Sequence, residues 1–271
     1  MANVRNRSTI PVTTKPATTL IRDGQRVIAP HAMGRPAAQG LYDPANEHDA
    51  CGIGMIANIK NRPSHEVVMK GLEILENLEH RGAVGADPLM GDGAGILVQT
   101  PHAFFTKVMD FPLPEKHFYA VAMLFYPNTD GLRDRVADVV KDCLSREGLT
   151  LLGERVVPVD NSELSEGVIA TQPIIEQMVI GRPAGMTLDE FERKLLITRK
   201  VISNTVYAQI PESAGDNGFY VVSMSARTIV YKGMFLAFQL GAFYLDLHDE
   251  SFESAIALVH QRFSTNTFPS W

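Results

Sequence analysis

The segment EHDACGIGM, residues 47–55, places the cysteine Cys51 between an acidic, polar stretch and a short apolar one. A buried cysteine is most often a small, inert core residue. Cys51 instead lies where the character of the chain changes, and residues 51–59 have the length and apolar content of a buried strand. Two interpretations are therefore open for this thiol: an inert core residue, or a nucleophile whose position in the chain matters.

The composition indicates a globular protein that can bury a core. The chain has 271 residues, 45% of them hydrophobic, and a net charge of −6, which fits one large domain or one domain with a tail. The mild acidic balance gives no basic stripe for a nucleic-acid backbone, and no apolar run approaches the ~18 residues that cross a bilayer. With only two cysteines, we expect free thiols and a cytoplasmic protein that binds neither nucleic acid nor membrane.

The first part of the chain differs from the rest. Residues 1–40 contain six basic residues against one acid, with many threonines and prolines and little apolar periodicity. This pattern predicts a poorly ordered leader. It also fits an organelle transit peptide, which would place the protein in an organelle stroma, whereas the missing apolar segment argues against secretion. Both interpretations of the leader stay open.

After Cys51 the pattern predicts a mixed α/β domain. Ser64 can cap a helix that ends near residues 80–82, and Thr187 can cap a second helix with Glu190 reaching back. The other predicted elements are a helix over 131–146 that buries Cys143, a strand pair turning at 225–227, and strands at 95–100, 117–127, 155–159, 174–180 and 255–265.

The spacing of residues disfavours several kinds of site. GDGAG, residues 91–95, resembles a phosphate-binding loop but lacks the full glycine fingerprint, a Walker lysine and a following helix, so we predict a tight turn shaped by Asp92 and Gly95. The eight histidines lack the helical spacing and the cysteine partners of metal ligands, so no metal site is predicted. A cysteine hydrolase that pairs Cys51 with His80 or His260 remains open, although nothing in the sequence fixes such a pair.

Three long motifs carry a resemblance to a known family. ACGIGM at 50–55, LEHRGAVGADPLMGDGAGILVQTP at 78–101 and LVHQRFSTNTFPSW at 258–271 resemble the amino-terminal, class II glutamine amidotransferase domain of the glutamate synthase large subunit, a member of the N-terminal-nucleophile hydrolases. The resemblance covers residues 40–271 in the family's order. It implies an α+β fold, a four-layer αββα sandwich, with residues 1–50 as leader or propeptide and residues 51–271 as the amidotransferase domain.

The resemblance also implies a role for Cys51. Cleavage before this residue would make it the first of the mature protein, and its α-amino group, with an unperturbed pKa of about 7.7 to 8.0, would accept the thiol proton. The thiolate would attack the side-chain amide of L-glutamine to give a γ-glutamyl thioester and ammonia, and water would then release glutamate. No catalytic histidine is needed in this scheme.

Other site residues are implied one at a time. Arg262 matches the arginine that holds the α-carboxylate of glutamine, a task suited to a planar guanidinium, and Thr265 matches a pocket residue beside it. Arg81 and Gly82 match an arginine-glycine loop near the nucleophile, and Gly52 would let the chain turn closely beside it. The alternatives are a surface salt bridge for Arg262 and an ordinary helix-terminating pair for Arg81 and Gly82.

The sequence departs from the family in one respect. Relatives continue past residue 271 through an Asn-Gly oxyanion hole, an aspartate that binds the substrate amine, a flavin-binding barrel and iron-sulfur ligands. We therefore expect a domain incomplete on its C-terminal side, in which the strand at 255–265 has an unpaired edge and apolar surface is exposed. This chain would carry no cofactor, while its parent would use FMN and an iron-sulfur cluster and would include the rest of the large subunit and a small subunit. An inactive fragment, or a domain serving a different acceptor, are the alternatives.

Overall fold

The computed structural model describes residues 20–22, 25–27, 40, 51–82, 87–129, 131–215 and 217–271. The chain divides into two units, residues 1–47 and 48–271. In the first unit, β1 (Leu20–Arg22) and β2 (Gln25–Val27) form an antiparallel hairpin. Most of the leader, and the Ala50–Cys51 bond at which a propeptide would end, lie outside the described residues.

Two four-stranded antiparallel sheets form the framework of the second unit. Sheet I has the order β3-β10-β4-β9 and sheet II has the order β6-β7-β5-β8. The strands of sheet I are β3 (Gly52–Ala57), β4 (Ala94–Gln99), β9 (Thr228–Gly233) and β10 (Ile256–Gln261). Those of sheet II are β5 (Tyr119–Tyr126), β6 (Thr150–Val156), β7 (Ile174–Gly181) and β8 (Tyr220–Ser225).

Six α-helices are described around these sheets. They are α1 (His65–Asn77), α2 (His102–Val108), α3 (Leu132–Arg146), α4 (Glu166–Ala170), α5 (Leu188–Gln209) and α6 (Ala237–Phe243). One hydrophobic cluster joins α3 and α5 to sheet II, and a second joins α1 and α6 to sheet I and to the other face of sheet II. Helix α1 packs closely, because a Cβ on Gly71 would lie 2.7 Å from that of Ala257 in β10. Two antiparallel sheets with helices on them confirm the predicted α+β class.

Most of the predicted elements are present, with some boundaries corrected. Thr187 and Glu190 form the predicted reciprocal cap of α5, and Cys143 is buried in α3 as expected. The strand predicted at 155–159 was misplaced: β6 spans Thr150–Val156, and Pro158, which cannot donate to the ladder, lies two residues beyond its end. Ser64 precedes α1, but its side chain makes no cap bond, and its backbone pairs with Ser254 instead. The short helices α2, α4 and α6 were not predicted.

The strand predicted at 255–265 shows how sheet I is assembled. β10 ends at Gln261 and pairs with β3 on one side and β4 on the other, so the expectation that it would be an unpaired edge is wrong. The expected exposed apolar surface is present. Ile53 and Met55 of β3 are 69% and 61% exposed, and Met55 faces Leu258, which is also exposed, in the register. Sheet I is therefore covered by α1 on one face and open over β3 and β10 on the other.

Candidate functional site

The pairing of β3 with β10 positions Cys51 beside the chain that leaves β10. Gly52 pairs with Gln261, so the residue before Gly52 meets the residues after Gln261. The Cys51 Sγ accepts the backbone N–H of Phe263 at 3.3 Å and lies 3.6 Å from the Phe263 carbonyl oxygen. Cys51 is exposed. The interpretation of Cys51 as an inert core thiol is therefore wrong, and a backbone donor is present that can stabilise negative charge on the sulfur.

The histidine partners considered for Cys51 do not bond to it. His80 Nδ1 lies 3.1 Å from the carbonyl oxygen of Asn77 at the end of α1. His260 lies in β10 opposite Ile53, and its pKa is lowered by burial and then by the charge of Arg262. Within the described ranges, no hydrogen bond joins Cys51 to a histidine ring. A Cys-His pair is thus not formed in this structure.

The glycines near Cys51 lie in closely packed positions. A Cβ on Gly52 would lie 3.0 Å from the Cβ of Arg81 and 3.2 Å from that of Leu78. This contact brings the 3₁₀ turn Glu79–Arg81 against the strand that begins after Cys51. Gly82 has φ −92°, so it is not a left-handed helix cap, but a Cβ there would collide with the side chain of Gln261. Gly52, Arg81 and Gly82 therefore meet the ends of β3 and β10 beside Cys51.

Arg262 follows β10 directly and is held by neutral acceptors. Its backbone N–H donates to Gly93 at 2.8 Å, its Nη1 donates to the carbonyl oxygen of Asp92 at 3.2 Å, and its Nη2 donates to the hydroxyl of Thr267. Thr265 is exposed and makes no hydrogen bond to the arginine among the described contacts. No described carboxylate pairs with Arg262, so the surface salt bridge considered for it is not formed, and its charge is available to a ligand.

Asp92 has a larger role than the shaping of a turn, which was all that the sequence predicted for it. Its side chain is buried, and its Oδ2 accepts the backbone N–H of Ser264. The carboxylate therefore fastens the segment after β10 to the loop before β4. Asp92 and Thr267 were missed as supports of Arg262, because neither partner is adjacent in sequence. The one available signal was the apolar strand that follows Asp92, which places this residue just before the start of β4.

A cavity of about 640 Å³ opens beside Arg262. Its lining includes the glycines of the loop into β4, Lys232 of β9, His260 and aromatic residues of sheet II. The Lys232 Nζ lies 4.7 Å from the ring centre of Tyr220 and 5.6 Å from that of Phe125. Burial, and then the charge of Arg262, lower the pKa of Lys232 to about 8. Sequence reasoning missed Lys232, since only the sheet register places it here.

The described residues show neither a metal-binding cluster nor a membrane-spanning helix. Within the ranges that the structure describes, no group of three or more His, Cys, Asp or Glu side chains could hold a metal ion. None of the described helices has both the length and the apolar character needed to cross a membrane.

Comparison with known proteins relates the whole second unit to one family. The sequence model of the class-II glutamine amidotransferases matches residues 51–271, so the match begins at Cys51. The "Glutamate synthase [NADPH] large chain" of Bacillus subtilis is 44% identical over 238 residues, which are 87% of this chain and 15% of that protein. The protein of the same name from Azospirillum brasilense is 41% identical over 260 residues, 94% of this chain and 17% of that one.

A plant relative shows the same relation. The "Ferredoxin-dependent glutamate synthase 1, chloroplastic/mitochondrial" of Arabidopsis thaliana is 40% identical over 246 residues, covering 90% of this chain and 15% of that protein. The chain thus spans 15% to 17% of the length of these three relatives.

Proposed function

The chain belongs to the class-II glutamine amidotransferases, and from this premise we propose that it hydrolyses L-glutamine to glutamate and ammonia with Cys51 as the nucleophile. The position of Cys51 supports the proposal. It is the first residue of the family match, it is exposed, and its sulfur contacts Phe263, the residue after Arg262. The thiol of Cys51 therefore contacts the residue next to the arginine that we propose to bind the substrate carboxylate.

The proposed reaction has two chemical steps, thioester formation and thioester hydrolysis, which follow cleavage of the chain before Cys51. Cleavage of the peptide bond before Cys51 frees an α-amino group, whose pKa near neutrality suits it to accept the thiol proton. The sulfur then attacks the side-chain carbonyl carbon of glutamine, the C–N bond breaks, and the nitrogen leaves as ammonia after taking up a proton. Water attacks the resulting γ-glutamyl thioester, which releases glutamate and restores the thiol. Residues 1–50 are, in this proposal, a propeptide.

Arg262 is proposed to bind the α-carboxylate of glutamine. Its Nη1 and Nη2 donate to a carbonyl oxygen and a hydroxyl, and a guanidinium has five donors, so donors remain for a ligand. We propose that the surface beside the thiol is shaped by Gly52, Arg81 and Gly82, because their contacts join the ends of β3 and β10. For Thr265 the proposal has no supporting contact, and Thr267 takes the position beside Arg262.

The larger context is also part of the proposal. The relatives are named glutamate synthases, so we propose that the ammonia serves glutamate synthesis in a larger enzyme with a small subunit. We propose that this larger enzyme also uses FMN and an iron-sulfur cluster. The cluster would be held outside residues 1–271, because the two cysteines of this chain are fewer than the four thiolates that hold such a cluster.

The test compares the two cysteines of the chain. Cys51→Ala should abolish both the loss of residues 1–50 and glutamine hydrolysis, whereas Cys143→Ala, in the core of α3, should permit both. Intact mass spectrometry follows processing, and coupled assays of ammonia and glutamate follow hydrolysis. A Cys51→Ala protein that is still processed, or that still releases ammonia, would refute the assignment. An unprocessed and inactive wild-type protein would favour an inactive fragment.

A further inference from the structure

The cavity beside Arg262 contains a second cation that the proposed reaction does not use. Lys232 extends from β9 into this cavity. Its ammonium group makes neither an ion pair nor a hydrogen bond to any described side chain, and its described neighbours are the rings of Tyr220 and Phe125. Lys232 is half-buried, and ring contacts of this kind contribute about 0.5–2 kcal/mol. Its ammonium group therefore has aromatic neighbours but no anionic partner among the described residues.

Two glycines, Gly93 and Gly95, lie on the surface of sheet I between Lys232 and Arg262, and we call them the glycine floor. Gly95 in β4 is in register with His260 on one side and with Lys232 on the other, and a Cβ on it would lie 3.0 Å from that of Lys232. Gly93 has φ +137°, and a Cβ there would lie 3.9 Å from the Cβ and Cδ of Arg262. These are two of the three glycines of the GDGAG segment, residues 91–95. Their missing side chains leave space over the sheet, with Lys232 at one end and Arg262 at the other.

The charges around this space favour an anion. Arg262 and Lys232 are both cationic side chains, and burial, followed by the charge of Arg262, lowers the pKa of Lys232 to about 8. Among the residues that the structure describes, the other titratable side chains lining the cavity are His260, Asp92, Tyr207 and Tyr220. The Asp92 carboxylate accepts the backbone N–H of Ser264 and forms no ion pair with Arg262 or Lys232 among the described contacts. A ligand carboxylate would give the two cations the ion-pair partner that neither has among the described residues.

We propose that Lys232 is a second binding residue for the α-carboxylate of the amino-acid substrate, which it holds together with Arg262 over the glycine floor of Gly93 and Gly95. The ligand follows from the proposed function, because the α-carboxylate is the only anionic group of glutamine. Lys232 would thereby determine specificity for a free α-carboxylate. Its role concerns binding and does not depend on turnover.

The test measures equilibrium binding in a Cys51→Ala protein expressed from residue 51, because this substitution prevents covalent reaction but would also leave residues 1–50 attached. Calorimetry at pH 7 compares L-glutamine with L-glutaminamide, whose α-carboxylate is replaced by a neutral amide. Lys232→Met keeps the length and apolar stem of the side chain but removes its charge. We expect it to weaken L-glutamine binding roughly 10- to 100-fold, the range for one lost charged hydrogen bond, and to change L-glutaminamide binding by less than about twofold. Lys141→Met, which removes a surface lysine of α3 paired with Glu154, is the matched control and should change neither.

Several outcomes would overturn the proposal. Equal weakening for both ligands would mean that Lys232 supports the fold, and unchanged L-glutamine binding would mean that it does not touch the ligand. Failure of the Cys51→Ala parent to bind L-glutamine would overturn it as well. Lys232→Gln is measured in parallel, with thermal melting of each variant, so that the loss of fold in one variant leaves the comparison intact.

The proposed function and the proposed subsite fail in different ways. Wild-type protein that binds L-glutamine in a Lys232-dependent manner but releases no ammonia would refute the hydrolysis and leave the subsite standing. Hydrolysis that depends on Cys51 but keeps the same KM in Lys232→Met would refute the subsite and leave the hydrolysis standing.

Discussion

The buried carboxylate of Asp92 allows a quantitative test of how the site is held together. The residue is 7% exposed, and its Oδ2 accepts the backbone N–H of Ser264, 172 positions further along the chain. Asp92→Ala removes this acceptor from a partly buried donor. The backbone carbonyl that receives the guanidinium of Arg262 is still present in the variant, so the direct loss is one charged hydrogen bond.

The size of the effect follows from that bond. A hydrogen bond to a charged group contributes about 1.5–3 kcal/mol, so Asp92→Ala should lower the free energy of unfolding by that amount. For a domain of this size, about 2–4 °C of melting temperature correspond to 1 kcal/mol, which gives a decrease of roughly 3–12 °C. Asp92→Asn keeps an oxygen acceptor without the charge and should lose about half as much, because neutral hydrogen bonds are about half as strong.

Urea unfolding followed by tryptophan fluorescence is the appropriate assay. Trp271 is the single tryptophan, it is buried, and its indole N–H donates to Val168 at 3.3 Å. The control is Asp142→Ala, which removes an exposed carboxylate paired with Arg146 within α3 and should cost only about 0.3–0.5 kcal/mol. If Asp92→Ala is no more destabilising than Asp142→Ala, the carboxylate does not fasten the segment after β10, and this account of the site is wrong.

Three further predictions concern the same sheet. Arg262→Lys keeps the charge but loses the planar donor set, so it should raise KM for glutamine with little change in melting temperature; an unchanged KM would remove Arg262 from the site. The pKa of Lys232 is lowered to about 8, so its charge is present below that pH and lost above it. The affinity for glutamine, measured by titration calorimetry, should therefore fall from pH 7 to 9 more steeply in wild type than in Lys232→Met. Parallel pH profiles would contradict the assignment of Lys232 to the carboxylate. Ile53→Thr with Met55→Thr removes exposed apolar area while keeping residues that suit a strand, and light scattering should show less aggregation at equal melting temperature; equal scattering would mean that this face does not drive association.

Local signals account for the elements that could be predicted from the sequence. The reciprocal cap of α5 involves residues three apart, and the buried face of α1 follows from its helical period, so both could be read from a short window. Helix α6 gave no such signal, because five of its seven residues are buried and no polar face sets a period. The extent of β6 is decided by its pairing with β7, which a local pattern does not contain.

The site was predictable only in part for the same reason. Cys51 and Arg262 each lie in a continuous sequence motif. The structure brings these motifs together, because the Cys51 sulfur contacts Phe263, the residue after Arg262. The partners of Arg262 depend on the register of sheet I, which brings the loop before β4 beside the end of β10. Lys232 lies in the stretch SMSARTIVYKGM, residues 223–234, which shares the family resemblance, but nothing local marks it as a ligand-binding residue. Its place beside Gly95 appears only once β4 and β9 are paired.

The segment after β10 couples the two tasks of the site. Gln261, the last residue of β10, pairs with the start of β3. The next residue, Arg262, presents its guanidinium to the cavity, and Phe263 contacts the sulfur of Cys51. A change in Arg262 alone should therefore affect substrate binding, whereas release of the segment from Asp92 should displace both the guanidinium and the thiol contact. On the proposed function, Arg262→Lys should raise KM at nearly constant kcat, while Asp92→Ala should raise KM and lower kcat together. If both variants instead changed KM alone, the contact of Phe263 with Cys51 would have no part in positioning the nucleophile.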